Sequence, residues 1–356
     1  MADNDYRARS RRSFLKVASV AGISGIAGCL NNGSSGSGNG TPTIRYAGIS
    51  GAELNDLMAM FHQSDHIPGN VMEHVGDKYE FKFVDVQSTP VVVNTLGSDE
   101  ADAGLLAYSS LANAIQGNTI ESGVSILAPL TYDGPRYADT FNSTVDSDIT
   151  EVGDIANGAF GVNGVGSAID IAARVILTRN GVDLNTVEFR ELSFGAMPTT
   201  LSEGRVDVGS FIQPFYEMNK NDLQTVFDTT DAFDSFLKIF MTVRNDFLES
   251  NSNAIEYWLE DFWTGMQWWK DDGNSEKRLD IAEEVVDLPR DILKQLVQTD
   301  MGYYHGEDGL DIDAEWLQRP VDGMHEIGFL DSKIDVSKHI DTSYLPDEAA
   351  TKPSIN

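Results

Sequence analysis

From Thr43 onward the chain switches repeatedly between two hydrophobic periods, and that alternation restricts its fold more than any other feature. Thr43-Ile44-Arg45-Tyr46-Ala47 alternates in and out and runs into Gly48, the pattern of a strand and its loop. Helical spacing follows over Ala52 to Phe61, and Tyr79 to Val84 alternates again. Ala101 to Ala107 is a short apolar strand, a helix is predicted over Ser109 to Ile115, and Gly123 to Leu130 reads as a buried strand. A second unit repeats the scheme. Ala159 to Asn163, Val187 to Leu192 and Val206 to Phe211 read as strands. Ser167 to Asn180 reads as a helix stopped by Gly181, and Ala196 to Glu203 as one stopped by Gly204. Strands separated by helices imply an α/β class with mainly parallel sheets that bind ligands at the carboxyl ends of their strands.

With 356 residues the chain exceeds one ordinary domain and suits two lobes around a cleft. Phe236 to Val243 reads as a return strand. The remainder is predicted helical over Asn253 to Lys270, Lys277 to Glu284, Pro289 to Gln298 and Asp313 to Gly328. The expected organisation is a leader over 1–28, a tether over 29–42, lobe one over 43–130, lobe two over 131–235, a return to lobe one over 236–345, and a tail over 346–356. Two chain crossings between lobes make a hinge. No internal repeat is present.

Charge and cysteine content remove whole classes of function. Fifty-six acids against 25 bases give a net charge of −31, a field that repels nucleic acid and anionic lipid. The acids are spread along a chain with plentiful aromatics, so disorder explains them poorly. A solvated acidic surface is the usual answer to molar salt, where the Debye length shrinks to ~3 Å. The composition therefore points to a halophilic source, with an ordinary acidic protein as the alternative. The single cysteine, Cys29, rules out a disulfide framework or a cysteine metal site within the chain.

The N-terminus reads as an address. Ser10-Arg11-Arg12-Ser13-Phe14-Leu15-Lys16 resembles a twin-arginine export signal. Val17 to Gly28 is apolar and small, and far short of the ~20 residues a spanning helix needs, so it reads as a signal-peptide core. Ile26-Ala27-Gly28-Cys29 resembles a lipobox, in which the Cys29 thiol takes a lipid and becomes the new N-terminus; the other reading is a small buried cysteine. Asn31 to Gly40, NNGSSGSGNG, is a flexible tether. Removing residues 1–28 takes away five bases and two acids and leaves a charge of about −34.

A family resemblance rests on several runs. Val145 to Asn163 is similar to the start of the second lobe in nitrate/sulfonate/taurine-type solute-binding proteins of ABC importers. Gly164-Val165-Gly166-Ser167 is similar to that family's Gly-Ser helix start, and Gly181-Val182-Asp183 to its G-(L/V)-D. Leu201 to Val208 is similar to its L-x-x-G-x-V-D-(A/V). Glu100 to Gly104, with Ala112-Asn113-Ala114 and Gly117, is similar to its first-lobe pattern. The resemblance covers about 43–240 well and the helical C-terminus weakly. It implies the two-lobed type II periplasmic binding protein fold with a hinge, and a role as a binding protein, not an enzyme. Its expected partners are a small-molecule ligand of the nitrate, sulfonate, taurine or pyrimidine-precursor class and an ABC permease with its ATPase. It further implies a monomer without cofactor, held by lipid at the outer face of the cytoplasmic membrane.

The resemblance points to strand-end loops and helix N-termini for the ligand: Ser50 and Gly51, Ser88 and Thr89, Tyr108 and Ser109, Gly166 and Ser167, Phe194, Phe211 and Gln213. Helix N-termini expose unpaired N–H groups beside which hydroxyls can hold a polar ligand oxygen, and aromatics can cover an apolar body. Plainer readings stay open. Ser109 and Ser167 can be simple helix caps, Phe194 and Phe211 core, and Gly48 and Gly51 a turn. Arg136 can pair with an anion but reads better as a surface residue. No basic cluster marks the cleft, so the ligand need not be strongly anionic.

Other signals are weaker. Gly161 to Ser167 lacks the nucleotide-loop spacing. His62 and His66 lack a metalloprotease glutamate and read as a surface pair. Trp258, Phe262, Trp263 and Met266 fall at helical spacing and read as core, while of the adjacent Trp268 and Trp269 one must face a second surface. No catalytic constellation can be placed. The competing readings are an enzyme of the same fold, such as the pyrimidine-precursor synthases, and a sensor ectodomain that presents its loaded state to a membrane receptor.

Overall fold

In the computed structural model, which describes residues 40–49, 54, 56–286, 288–298 and 309–352, the alternation at the start of the chain becomes β1 (Thr43–Ile49). Ile44 and Tyr46 are buried on the side of Trp258, whose ring centroid lies 5.7 Å from that of Tyr46. Arg45 points the other way and donates from Nε to Asp102 Oδ2 at 2.8 Å. The first lobe continues with α1 (Leu57–Gln63), β2 (Glu80–Val86), α2 (Thr89–Gly97), β3 (Ala103–Ala107), α3 (Tyr108–Gly117) and β4 (Val124–Asp133). The second contains β5 (Thr140–Thr144), β6 (Ala159–Val162), α4 (Ala168–Arg179), β7 (Glu188–Glu191), α5 (Met197–Ser202), β8 (Val208–Phe211), α6 (Phe215–Asn219), β9 (Leu223–Asp228) and α7 (Thr230–Phe233). The chain then returns through β10 (Phe236–Arg244) and continues with α8 (Asn245–Lys270), α9 (Ser275–Val285), α10 (Arg290–Gln298) and α11 (Ala314–Glu326).

The first sheet has the order β2-β1-β3-β10-β4 and the second β7-β6-β8-β5-β9. Neither is mainly parallel, which departs from the expectation. In the first, β1 runs parallel to β2 and β3, while β10 is antiparallel to β3 and β4. In the second, β6 runs parallel to β7 and β8, while β5 is antiparallel to β8 and β9. The reversed strand in each sheet is the one that has just crossed from the other lobe. The crossings from β4 to β5 and from β9 to β10 are short and join strands of different sheets.

Local chemistry sets the element that matters most for the cleft. Ser167 caps α4 by accepting from the Asp170 N–H at 3.3 Å. Gly181, at φ +77°, ends the helix in the left-handed conformation that a side chain resists. Two strands escaped the sequence reading. β5 and β9 are short, and β5 buries the polar Asn142 and Ser143 beside Phe141. Both polar side chains are satisfied: Thr225 Oγ1 donates to Asn142 Oδ1 at 2.8 Å, and Ser143 Oγ donates to the Ile149 carbonyl at 2.8 Å.

One apolar cluster runs through both lobes, from Val92 and Leu96 through Tyr108 to Phe141, Phe160 and Ile169. A second surrounds Trp258, Phe262 and Met266 of α8, with Trp269 buried and Trp268 partly exposed beside it. Each large apolar side chain buried in this way contributes about 1.5–3 kcal/mol. α11, expected within the first lobe, packs on α3 and β10 and also on α4 and α7. Arg179 of α4 pairs with Glu326 of α11 at 2.7 Å. His62 is not on an open surface: its ring stacks on Phe81 with centroids 3.7 Å apart, while His66 is exposed. No helix among the described residues is long and apolar enough to cross a membrane.

Candidate ligand-binding site

Strand ends from both sheets converge on one cavity of about 90 Å³. Ile49 at the end of β1, Leu105 and Ala107 of β3, and Ile239 of β10 supply the wall from the first lobe. Asn163, Phe194 and Ile212 follow the ends of β6, β7 and β8, and Ser167 to Ile169 supply the start of α4. This is where α/β sheets place ligands, beyond the carboxyl ends of their parallel strands. The lining is mainly apolar, with a few convergent polar groups.

Of the residues to which the resemblance points, Thr89, Ser167 and Phe194 line the cavity. Thr89 Oγ1 accepts from Ser110 Oγ at 2.7 Å, which leaves its own proton free to donate. Ser167 Oγ donates to Asn163 Oδ1 at 2.8 Å, so Ser167 both caps α4 and orients a neighbouring amide.

The other expected residues sit elsewhere. Ser50 and Gly51, like Cys29 and the twin-arginine segment, lie outside the described residues. Ser88 is half-buried at the start of α2 and is not part of the lining. Tyr108 is fully buried, and its hydroxyl donates to the Ala168 carbonyl at 2.6 Å. It thus ties α3 of one lobe to α4 of the other. Ser109 is buried beside it, with no hydrogen-bond partner for Oγ among the described residues. Gly166, at φ +80°, lets the chain pass under Phe329; a Cβ there would lie 3.2 Å from that ring. Phe211 is core, packed with Met197, Leu201 and Val206, because its strand turns it into the second lobe. Gln213 precedes a cis peptide to Pro214 and does not line the cavity. Arg136 is exposed.

Three charged residues in the lining were missed. Lys238 is buried within β10 and bridges Asp133 Oδ1 at 2.6 Å and Asp139 Oδ2 at 2.8 Å. Tyr137 donates to Asp139 Oδ1 at 2.7 Å, and Thr229 donates to Asp133. The cluster joins the two crossing segments, because Asp133 and Asp139 flank the first and Lys238 follows the second. Burial opposes the Lys238 charge, but the two carboxylates outweigh it and hold the ammonium above its ordinary range. Burial likewise raises the Asp133 carboxyl. A lysine inside the otherwise apolar run Phe236 to Met241 was the available signal.

Asp56 is the third. It caps α1 by accepting from the Ala59 N–H at 3.1 Å and takes the Tyr46 hydroxyl at 2.8 Å. Its place before a helix reads as an ordinary cap, so nothing in the sequence marked it. Burial pushes its carboxyl from 3.8 up to about 6, against the opposing bonds from Ala59 and Tyr46. A raised acid holds its proton more tightly folded than unfolded. Its cost is therefore absent below about pH 4, grows as pH rises, and is complete above about pH 6, on the order of 3 kcal/mol. Asp56→Asn is expected to stabilise the protein by up to that amount at pH 7 and to change little at pH 4. Urea unfolding of both proteins at the two pH values checks this; an equal effect at both would contradict the buried-charge account.

No protein-family model matches the sequence, and comparison with curated proteins gives no match. Solved structures do match in fold. The ligand-binding component of an ABC-type import system from Staphylococcus aureus, with zinc bound, aligns over 87% of this chain and 100% of its own at TM-score 0.67 and 15% identity. The alkanesulfonate-binding protein SsuA from Xanthomonas axonopodis pv. citri, bound to MOPS, aligns over 84% and 98% at 0.65 and 13%. The periplasmic nitrate-binding protein NrtA from Synechocystis PCC 6803 aligns over 85% and 87% at 0.65 and 12%. With two mixed sheets, a cavity between them and a helical C-terminus, this chain has the α/β fold of the periplasmic binding proteins.

Proposed function

We propose that the protein is an exported solute-binding protein that captures a small molecule in the cavity between its lobes and delivers it to an ABC-type permease. The observation that carries this is the convergence of strand ends from two sheets, bridged by short crossings, on one largely apolar cavity with a few oriented polar groups. The fold likeness to binding components of import systems supports it. The nitrate and alkanesulfonate in the names of those proteins supply first candidates for the ligand. The address at the N-terminus supports export through the twin-arginine route and anchoring through Cys29 at the outer face of the membrane.

A thermal-shift screen in high salt tests capture, with nitrate, alkylsulfonates, taurine, aromatic carboxylates, pyrimidines and short peptides. A ligand at 100 times its dissociation constant adds about 2.7 kcal/mol to the folded state. A panel without any shift would count against capture. For the anchor, Cys29→Ala is expected to move the protein from the membrane fraction to the medium. Immunoblots of the two fractions read this, and continued membrane retention would contradict lipidation.

A further inference from the structure

We propose that the cavity selects a compact organic base, an apolar body carrying an N–H donor group that binds the Asp56 carboxylate, and that it rejects oxyanions. This rests on the capture reading above and replaces its first candidates, nitrate and alkanesulfonate, with another ligand class. The charge balance of the lining carries it. Two carboxylates, Asp56 and Asp139, face the cavity with one ammonium, Lys238. That ammonium is already shared with Asp139 and with Asp133 behind it. An anion entering here would meet more negative than positive charge and no uncommitted base among the described lining residues.

Asp56 is the acceptor with capacity to spare. Each carboxylate oxygen has two acceptor sites, and among the described residues Tyr46 and Ala59 take one apiece. Asp139 is engaged on both oxygens by Tyr137 and Lys238. A charged acceptor buried with unmet capacity gains most from a donor that arrives with the ligand, because water is excluded there. Ile169, Phe194, Ile212 and Ile239 contribute apolar side chains to the same lining. Size sets the last limit. A cavity of about 90 Å³ is smaller than the ~150 Å³ engineered cavity that accepts benzene, so the base is small or its entry parts the lobes slightly.

Two panels on the full chain in chloride buffer decide the class. The bases are propylammonium, butylammonium, acetamidinium, guanidinium and 4-aminopyrimidine; the anions are nitrate, sulfate and ethanesulfonate. At least one base is expected to raise the melting temperature and the anions are not. Isothermal titration with the strongest base should show affinity falling about tenfold or more in Asp56→Asn, the loss expected for a hydrogen bond to a charged group. Tyr46→Phe, which keeps the carboxylate and frees an acceptor site, should bind that base at least as well as the parent. Unliganded melts confirm that each variant folds. A shift by the anions, or equal affinity of the base for Asp56→Asn, overturns the ligand class and leaves capture standing. Silence of both panels overturns the class, and silence of the broad capture screen as well overturns the function itself.

Discussion

Lys238→Met should destabilise the protein by about 3–5 kcal/mol at pH 7, the usual cost of removing one partner from a buried ion pair. The substitution keeps length and apolar volume but leaves Asp133 and Asp139 facing each other without a cation. Burial, which raises the Asp133 carboxyl, then acts without the opposing ammonium. A carboxyl with a raised folded-state value costs nothing below the unfolded value and progressively more as pH rises above it. The deficit should therefore shrink between pH 7 and pH 4. Adding Asp133→Asn and Asp139→Asn to the same variant should recover most of it, since no buried charge would remain. Urea midpoints at the two pH values for parent, single and triple variants read this. A loss under about 1 kcal/mol, within the range of an exposed pair, would show that the cluster is hydrated and does not brace the crossings.

Ala168→Leu should weaken ligand binding by about 100-fold or more, equivalent to ~2.7 kcal/mol, while leaving the chain folded. Ala168 opens α4 and its side chain borders the cavity, while its carbonyl is held by the Tyr108 hydroxyl. The backbone is therefore fixed, and the added carbons must occupy the space the ligand needs. Filling an apolar void is close to neutral for stability when the space accepts the new group, and costs about 1–3 kcal/mol when it does not. Titration calorimetry with the best ligand, alongside the unliganded melt, separates lost binding from lost folding. Parent-like affinity in a folded variant would move the binding site away from this cavity.

What the sequence revealed follows the range of the interactions involved. α4 was legible because Ser167 and Gly181 fix its two ends through bonds within a few residues. Thr89, Ser167 and Phe194 reach the cavity from positions after a strand or at a helix start, which local signals mark. Tyr108 and Phe211 carried the same local signal, and distant packing decided against it: Tyr108 is taken by Ala168, 60 positions away, and Phe211 by the core of its own lobe. The charged cluster was beyond local reading, since Lys238 meets Asp139 from 99 positions away. β5 and β9 were lost because β5 carries a single apolar residue, Phe141, and the apolar residues of β9 fall next to each other at Val226 and Phe227, so neither shows a sustained alternation.

Hydrogen exchange of the full chain, with and without the compound giving the largest melt shift, tests most directly whether a guest is held between the lobes. Amides at Leu105 to Ala107, at Ile169 and at Ile212 should all slow together on binding, because they line one cavity from two different sheets. Protection confined to a single lobe, or to surface away from these segments, would contradict capture in the cleft.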